Sequence, residues 1–462
     1  MLQTLRNAFK VPELRSKLLF VGLILILYRV GATMPVPFVD SAMMNLYLNG
    51  LGSGSIFTYL NMLSGSAFGN ATLFALSVSP YITASIVLQL LDVAFPRWFG
   101  GRDADPQEKR KKMTFWTRIV TVLLAILTSV GYYMIMRQNG ILTPDGEEIL
   151  GAIVIVTCYC AGAALIMWLA EKIEERGIGN GISLILLANI LSGMGGTVDS
   201  FVKMIKSGFA ADQSNAAAST PVTTYYGILN IALAVLSILI TVAIIYFMVW
   251  ITGSERRIPI KYAKRVVGRK MYGGQSSHLP MKVNMSGVMP VIFASSIISI
   301  PATILGFIYG TSINEKTNPV AYFINQMFSP VGSWWSLIYM ALLFLLILGF
   351  SYFYITISFD PVEVANNLQK QGGQIPGIRQ GTPTAEYIKR ILNKITLMGA
   401  FFLAFISIFP ALVSWGVDML GGTFASIAFG GTSLLIVIGV IQETARELEA
   451  QLTMRNYKGF LD

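Results

Sequence analysis

The sequence predicts an all-α polytopic membrane protein of ten transmembrane helices, arranged as two five-helix halves related by inverted pseudo-symmetry. Three observations carry this. Of 462 residues, 54% are hydrophobic and only 13% charged, against about a quarter charged in ordinary soluble domains. Ten apolar stretches reach or approach the roughly 20 residues needed to cross about 30 Å of hydrocarbon. And one pattern, V-x-P-x-I-x-A-S, occurs twice, as Val78-Ser-Pro-Tyr-Ile-Thr-Ala-Ser85 and Val288-Met-Pro-Val-Ile-Phe-Ala-Ser295. Each copy lies in the second apolar segment of one half. Five spans per half is an odd number, so the second half enters the bilayer inverted. Inverted repeats place a pathway between the halves, near the midplane.

The predicted spans cover residues 18–38, 73–95, 114–136, 149–170, 181–201, 225–251, 284–309, 334–359, 391–413 and 428–441. The first follows a basic start (Arg6, Lys10, Arg15, Lys17) and runs on past Arg29 without a small-x-small cleavage signal, so it reads as a retained span. Before it, Leu2, Leu5 and Phe9 at helical spacing predict a short amphipathic helix on the membrane surface. Residues 1–222 form the first half, 223–445 the second and 446–462 a tail of mixed charge.

Orientation follows from the basic residues. With the N-terminus cytoplasmic, 29 of the 34 Lys and Arg fall on the cytoplasmic side; Arg137, Lys203, Lys206 and Lys316 lie opposite, and Arg29 lies inside span 1. This satisfies the positive-inside rule, puts both termini in the cytoplasm, and accounts for the net charge of +10. Attraction for anionic lipid comes with it. Three cytoplasmic segments exceed what topology needs, the tail from Arg446 onward among them. Residues 254–283 carry Arg256, Arg257, Lys261, Lys264, Arg265, Arg269, Lys270 and Lys282, while 360–390 is rich in Gly and Pro around Arg379. Long loops without evident structure are usually functional or disordered. A docking platform is the preferred reading, for ribosomal RNA or for an acidic protein surface alike.

Several chemistries find no support. A single histidine, His278, argues against a histidine metal cluster or a His-based triad. Cys158 and Cys160, two apart on one helix, face different directions and read as packing residues. Gly177-Ile-Gly-Asn-Gly181 resembles a phosphate loop, but it joins two apolar helices and lacks a preceding strand, so a glycine turn between spans is expected. The span centres carry almost no ionisable residue, which disfavours a proton relay; a sodium site of backbone carbonyls would leave no such trace. No cofactor is implied, and an enzyme reading lacks its residues. Pro80 and Pro290 stand near the start of their spans, where each is expected to kink the helix. The small, polar stretch before Pro80 is expected to fold back into the bundle over residues 59–72, because irregular backbone at membrane depth survives only inside protein or against water. An ordinary external loop is the alternative.

These segments resemble the SecY family of protein-conducting channels along essentially the whole chain. The resemblance rests on Tyr28-Arg-Val-Gly31, Pro80-Tyr-Ile-Thr-Ala-Ser-Ile86, Glu175-Arg-Gly-Ile-Gly-Asn-Gly-Ile-Ser183, Tyr262-Ala-Lys-Arg265, His278-Leu-Pro-Met-Lys-Val-Asn284, Pro376-Gly-Ile-Arg379 and Gly430-Gly-Thr-Ser-Leu-Leu-Ile436. It implies a central hourglass pore in a bacterial cytoplasmic membrane, which passes unfolded polypeptides and releases membrane segments sideways. The implied pore ring is Val78, Ile82, Ile182, Leu186, Ile292 and Ile436. Val78 and Leu186 replace the family's common isoleucine. Leu63, Ser64, Gly65, Ser66, Ala67, Phe68 and Gly69 would belong to a plug, and Thr83 and Ile300 to a lateral gate, Ile300 departing from the aromatic found in some relatives. Docking would use Arg256, Arg257, Lys264, Arg265 and Arg379. The implied partners are SecE-like and SecG-like small membrane subunits, the SecA motor, the ribosome, and signal sequences with their nascent polypeptides. A secondary small-solute transporter would share the inverted halves and is the competing reading; it requires a polar midplane site.

Overall fold

The structure is a computed structural model that describes residues 2–50, 57, 60, 61, 64–99, 105–195, 202, 206, 221–262, 265–267, 270–272, 276–309, 318–328, 335–419 and 430–458. Every predicted span carries a helix. The first five are Pro12–Gly31, Ser79–Ala94, Pro106–Gln138, Ile149–Arg176 and Gly181–Gly195. The second five are Pro221–Gly253, Met289–Tyr309, Ser336–Ser358, Thr382–Met419 and Gly430–Lys458. Among the described residues, five helices are long and apolar enough to cross a membrane: Gln107–Gln138, Ile149–Arg176, Met289–Tyr309, Ser336–Lys370 and Thr382–Phe409.

The helix boundaries follow local chemistry. Proline stands in the first turn of spans 1, 2 and 3, where its missing N–H costs nothing. Asp105 caps span 3 by accepting from the Gln107 N–H at 3.1 Å. Between spans 4 and 5 the glycine turn is as expected. Gly179 holds φ +89°, and Asn180 Oδ1 accepts from the Ser183 N–H at 3.1 Å to start the next helix.

The repeated octapeptide has a structural meaning that differs from the expected kink. Pro80 and Pro290 are second residues of their helices, which begin at Ser79 and Met289. In both copies the valine carbonyl accepts the first helical hydrogen bond, from the isoleucine four residues on: Ile82 N to Val78 O at 3.0 Å, and Ile292 N to Val288 O at 3.2 Å. Proline between them lacks a donor that would have had no partner. The motif is a helix start, and it fixes both isoleucines in the first turn. Pro301, by contrast, lies inside the span-7 helix.

Two segments expected to be loops are ordered. Within residues 254–283, strands β1 (Glu255–Tyr262) and β4 (Ser276–Lys282) pair antiparallel, and β2 (Arg265–Val267) pairs with β3 (Lys270–Tyr272). Residues 360–390 contain the helix Pro361–Lys370, capped by Asp360, then β5 (Gly373–Gln374). β5 pairs with β1 at Lys261↔Gln374 and Tyr262↔Gly373, giving the order β4-β1-β5. The sequence hid this sheet because alternation is short: Ile258 and Ile260 point inward while Arg257, Pro259 and Lys261 stay exposed. Beneath the sheet, Ile258, Ile260, Met281 and Ile375 pack with Ile355 of span 8 and Ile388 and Ile391 of span 9. The described part of the tail is helical, since the span-10 helix continues to Lys458. The N-terminal helix Leu2–Lys10 packs on that extension, with Ala8, Leu14, Ile178 and Leu448 in one buried cluster.

In hydrocarbon, close approach and dispersion rather than water exclusion hold helices together, and small residues permit it. At Gly162 of span 4, a Cβ would stand 2.0 Å from the Leu73 carbonyl oxygen. Gly162→Ala is therefore expected to cost about 1–3 kcal/mol by overpacking. Gly349→Ala, with nothing within 4 Å of its Cβ, is expected to be neutral or slightly stabilising. Thermal unfolding of the two detergent-solubilised variants checks the contrast.

Candidate aliphatic waist, gate and docking platform

Five of the six candidate ring residues are buried: Val78, Ile82, Leu186, Ile292 and Ile436 are each no more than 4% exposed. They belong to one apolar cluster, and Ile182 packs against it half-buried. The cluster draws on spans 2, 5, 7 and 10 and so on both halves of the chain. Ile182 and Leu186 lie four apart on span 5, as do Val78 and Ile82 across the start of span 2, so each pair shares a face.

Beside this cluster is a cavity of about 250 Å³. It brings together Ile82 and Leu186 of the candidate ring, Thr83 and Ile300 of the candidate gate, and Phe68 of the candidate plug. Its wall is apolar apart from hydroxyls, and most of these bond within their own helices. Thr83 donates to the Ser79 carbonyl (3.0 Å), Ser296 to Ile292 (2.8 Å), Ser299 to Ser296 (2.8 Å) and Thr303 to Ser299 (2.7 Å). The lining holds no ionisable side chain but the Tyr132 phenol, whose hydroxyl donates to the Phe68 carbonyl. Among the described residues no group of His, Cys, Asp and Glu is arranged to hold a metal.

The chain before span 2 is a compact run of turns. Ser64, Ala67 and Phe68 are no more than 4% exposed; Gly65 and Gly69 are buried and Ser66 is exposed. Leu63 lies outside the described residues. The segment supplies its own hydrogen bonds: Phe68 N–H to Ser64 Oγ at 3.0 Å, Gly69 N–H to Asn61 Oδ1 at 2.7 Å, and Thr72 Oγ1–H to the Ala67 carbonyl at 3.1 Å. The Leu73 N–H reaches Met34 O at 2.9 Å. Ser66, Ala71 and Ser77 have φ of 70°, 48° and 52°, each costing on the order of 1 kcal/mol or more for a side chain with a Cβ.

Arg256 and Arg257 are exposed on β1. Arg379 is exposed on the turn after β5, and its carbonyl accepts from Thr384 Oγ1 at 2.7 Å. The β1–β5 pairing makes these two segments one platform. Lys264 lies outside the described residues; Arg265 opens β2, and its side chain is not described. Where the platform meets span 10, burial, reinforced by Glu447, raises the Glu443 carboxyl above its usual range. Burial, reinforced by Arg446, lowers the Lys282 ammonium. Both shifts disfavour the charged form, and the Arg446 guanidinium donates to the Thr252 carbonyl.

Sequence reasoning did not find Tyr132, Ser77, Asn189 or Ser192, which border the turn segment. An asparagine at the centre of an apolar span was the available signal.

Comparison with known proteins agrees with this architecture. A family model for SecY matches residues 72–445. The protein translocase subunit SecY of Streptomyces galbus is 40% identical over 473 aligned residues, covering 100% of both chains. That of Mycobacterium tuberculosis strain H37Rv is 38% identical, again across 100% of each. A solved protein-conducting channel shares the fold with a TM-score of 0.63 at 19% identity, covering 94% of this chain and 91% of its own. Sec61 from the canine ribosome-channel complex of the endoplasmic reticulum aligns with a TM-score of 0.60, also at 19% identity, covering 94% and 91%. Identity across the full length, joined to this helical fold, makes the chain a member of the SecY family of protein translocase subunits.

Proposed function

We propose that this SecY-family subunit forms the channel itself, threading unfolded polypeptides across a bacterial cytoplasmic membrane and releasing apolar segments sideways into lipid. The observation that carries this is the uncharged aliphatic cluster drawn from both halves, with a cavity beside it that touches spans 2 and 7. A pore for chains of any sequence must not bind its cargo. Val78, Ile82, Ile182, Leu186, Ile292 and Ile436 offer a passing chain no charge and no hydrogen bond, and an empty aliphatic constriction dewets and blocks ions.

Residues 1–222 and 223–445 act as the two halves, with residues 446–462 a cytoplasmic tail, and both termini are cytoplasmic. Residues 63–69 serve as the plug. Thr83 and Ile300 flank the lateral gate, where leucines of a signal sequence prefer lipid by about 0.3–0.6 kcal/mol each. Arg256, Arg257, Lys264, Arg265 and Arg379 receive SecA or the ribosome, whose phosphates and carboxylates suit exposed guanidinium groups. SecE-like and SecG-like subunits complete the assembly in the membrane, and anionic lipid binds the cytoplasmic basic residues. The chain catalyses no reaction; a partner supplies the energy. A solute carrier is less well supported, because the cavity wall is mainly apolar and most of its Ser and Thr hydroxyls, those of Thr83, Thr128, Ser296, Ser299 and Thr303, already have partners within their helices.

Secretory chains stalled in transit are expected to photo-crosslink to probes placed at Ile82 and Ile292, and not to probes on lipid-facing Leu345, which is 67% exposed. Equal yields at all three positions remove the ring assignment. Arg379→Glu is expected to lower translocation by roughly tenfold, the scale of a lost charge-assisted contact, with unchanged membrane insertion and thermal stability. Translocation at the parental rate removes the docking role.

A further inference from the structure

One polar layer at membrane depth is used by neither the ring, the gate nor the platform. Arg29 stands in the last turn of the span-1 helix, where a cation suits the helix dipole. That role would leave the guanidinium free to turn toward either membrane surface. Instead Nη2 donates to Ser192 Oγ on span 5, and Nη1 is buried without a hydrogen-bond partner. Nη1 faces the turn segment: a Cβ on Gly65 would lie 3.1 Å from it and 2.9 Å from the Asn189 backbone oxygen. Gly65 also holds φ +63°, so glycine alone seats comfortably there. One helical turn from Ser192, Asn189 is fully buried. Its Nδ2 donates to Ser77 Oγ at 3.1 Å, and its Oδ1 has no partner. Spans 1 and 5 thus grip the segment near both of its ends, Gly65 and Ser77.

The gripped chain is under tension. Ser66, Ala71 and Ser77 are three of the four non-glycine residues with positive φ among the described residues. Such conformations persist only where the surroundings over-determine them, and they gather at switch regions. An intramembrane charge is a functional residue by default, and a buried network with unmet groups is held less firmly than a satisfied one.

We infer that Arg29 and Asn189 are positioning residues that hold residues 64–77 seated against spans 1 and 5, and that the unmet Nη1 and Oδ1, with the left-handed residues, make the seat releasable. This rests on the reading of residues 63–69 as a plug. The grip then sets how readily the channel opens, and so how apolar a passenger must be to open it.

The test uses the full chain with its small membrane subunits in planar lipid bilayers, reading single-channel open probability without passenger. Arg29→Met keeps the stem and removes every donor; Arg29→Lys keeps a cation for Ser192; Asn189→Leu removes the second grip without touching Arg29. Arg29→Met and Asn189→Leu are expected to raise open probability by about tenfold, as for loss of a charged or buried hydrogen bond, and Arg29→Lys by less than about threefold. If the first two lower only the amount of inserted protein and leave open probability per channel unchanged, the residues are merely structural and the inference fails. Deletion of residues 64–69 separates the two layers of argument. A rise on deletion with none for Arg29→Met and Asn189→Leu defeats the grip alone; no rise on deletion defeats the plug reading with it.

Discussion

Hydrocarbon offers a peptide group nothing to bond to, and the structure turns on how this chain meets that constraint where it stops being helical. Between Ser64 and Val78 the backbone is a run of turns, which lipid would not tolerate. The segment survives because it is enclosed by protein and bonded to itself, to Met34 and Val36 of the link after span 1, and to Tyr132 of span 3. Its enclosure lets span 2 begin late, at Ser79. A continuous helix from residue 73 would have carried Val78 and Ile82 a turn or more along the helix axis. The second copy of the motif does the same for Ile292 after the turn at Gly287, φ +66°. The two halves thus deliver an isoleucine in the first turn of a helix, by the same valine-carbonyl acceptor and the same proline.

What those helix starts surround is chemically quiet. An aliphatic waist discriminates against nothing, which suits a conduit and disqualifies a binding site. Selection has to be made elsewhere, and two places are available. At the faces of spans 2 and 7 the choice is between cavity and lipid, which leucines resolve additively. At the platform the choice is electrostatic, because Arg256, Arg257 and Arg379 are exposed there. Charge is thus strongest where partners would land and faintest where a passenger would thread.

The parts legible in the sequence were those governed by one-dimensional rules. Span positions follow from hydropathy, the Gly177–Gly181 turn from two glycines and an asparagine, and the repeated octapeptide from its spacing. The parts that escaped depend on pairing at a distance. β1 was invisible because Pro259 and three basic residues interrupt its alternation; Met281 across the ladder, Ile375 just after β5 and the isoleucines of spans 8 and 9 give Ile258 and Ile260 something to bury against. The mixed charge of the tail gave no sign of a packed face, yet Leu448 at the right turn finds Ala8, Leu14 and Ile178. Arg29 was noticed as an exception, but its neighbours Ser192 and Gly65 come from opposite sides and no local pattern joins them.

The sheet also changes how the docking and gating regions relate. As unstructured loops, residues 254–283 and 360–390 would absorb any force applied to them. As one sheet they cannot, because Ile258, Ile260 and Ile375 are packed on Ile355 of span 8 and Ile388 of span 9. β4 ends at Lys282 and span 7 begins at Met289, so the link between sheet and helix is short. It is also pinned: a Cβ on Gly399 of span 9 would lie 2.4 Å from the Val283 carbonyl oxygen, and one on Gly439 of span 10 would lie 2.5 Å from a Val288 methyl. Close-packed interiors shift between discrete arrangements rather than stretching. A partner that displaced β1 and β4 would therefore move the start of span 7 with them, and with it the turn that carries Ile292.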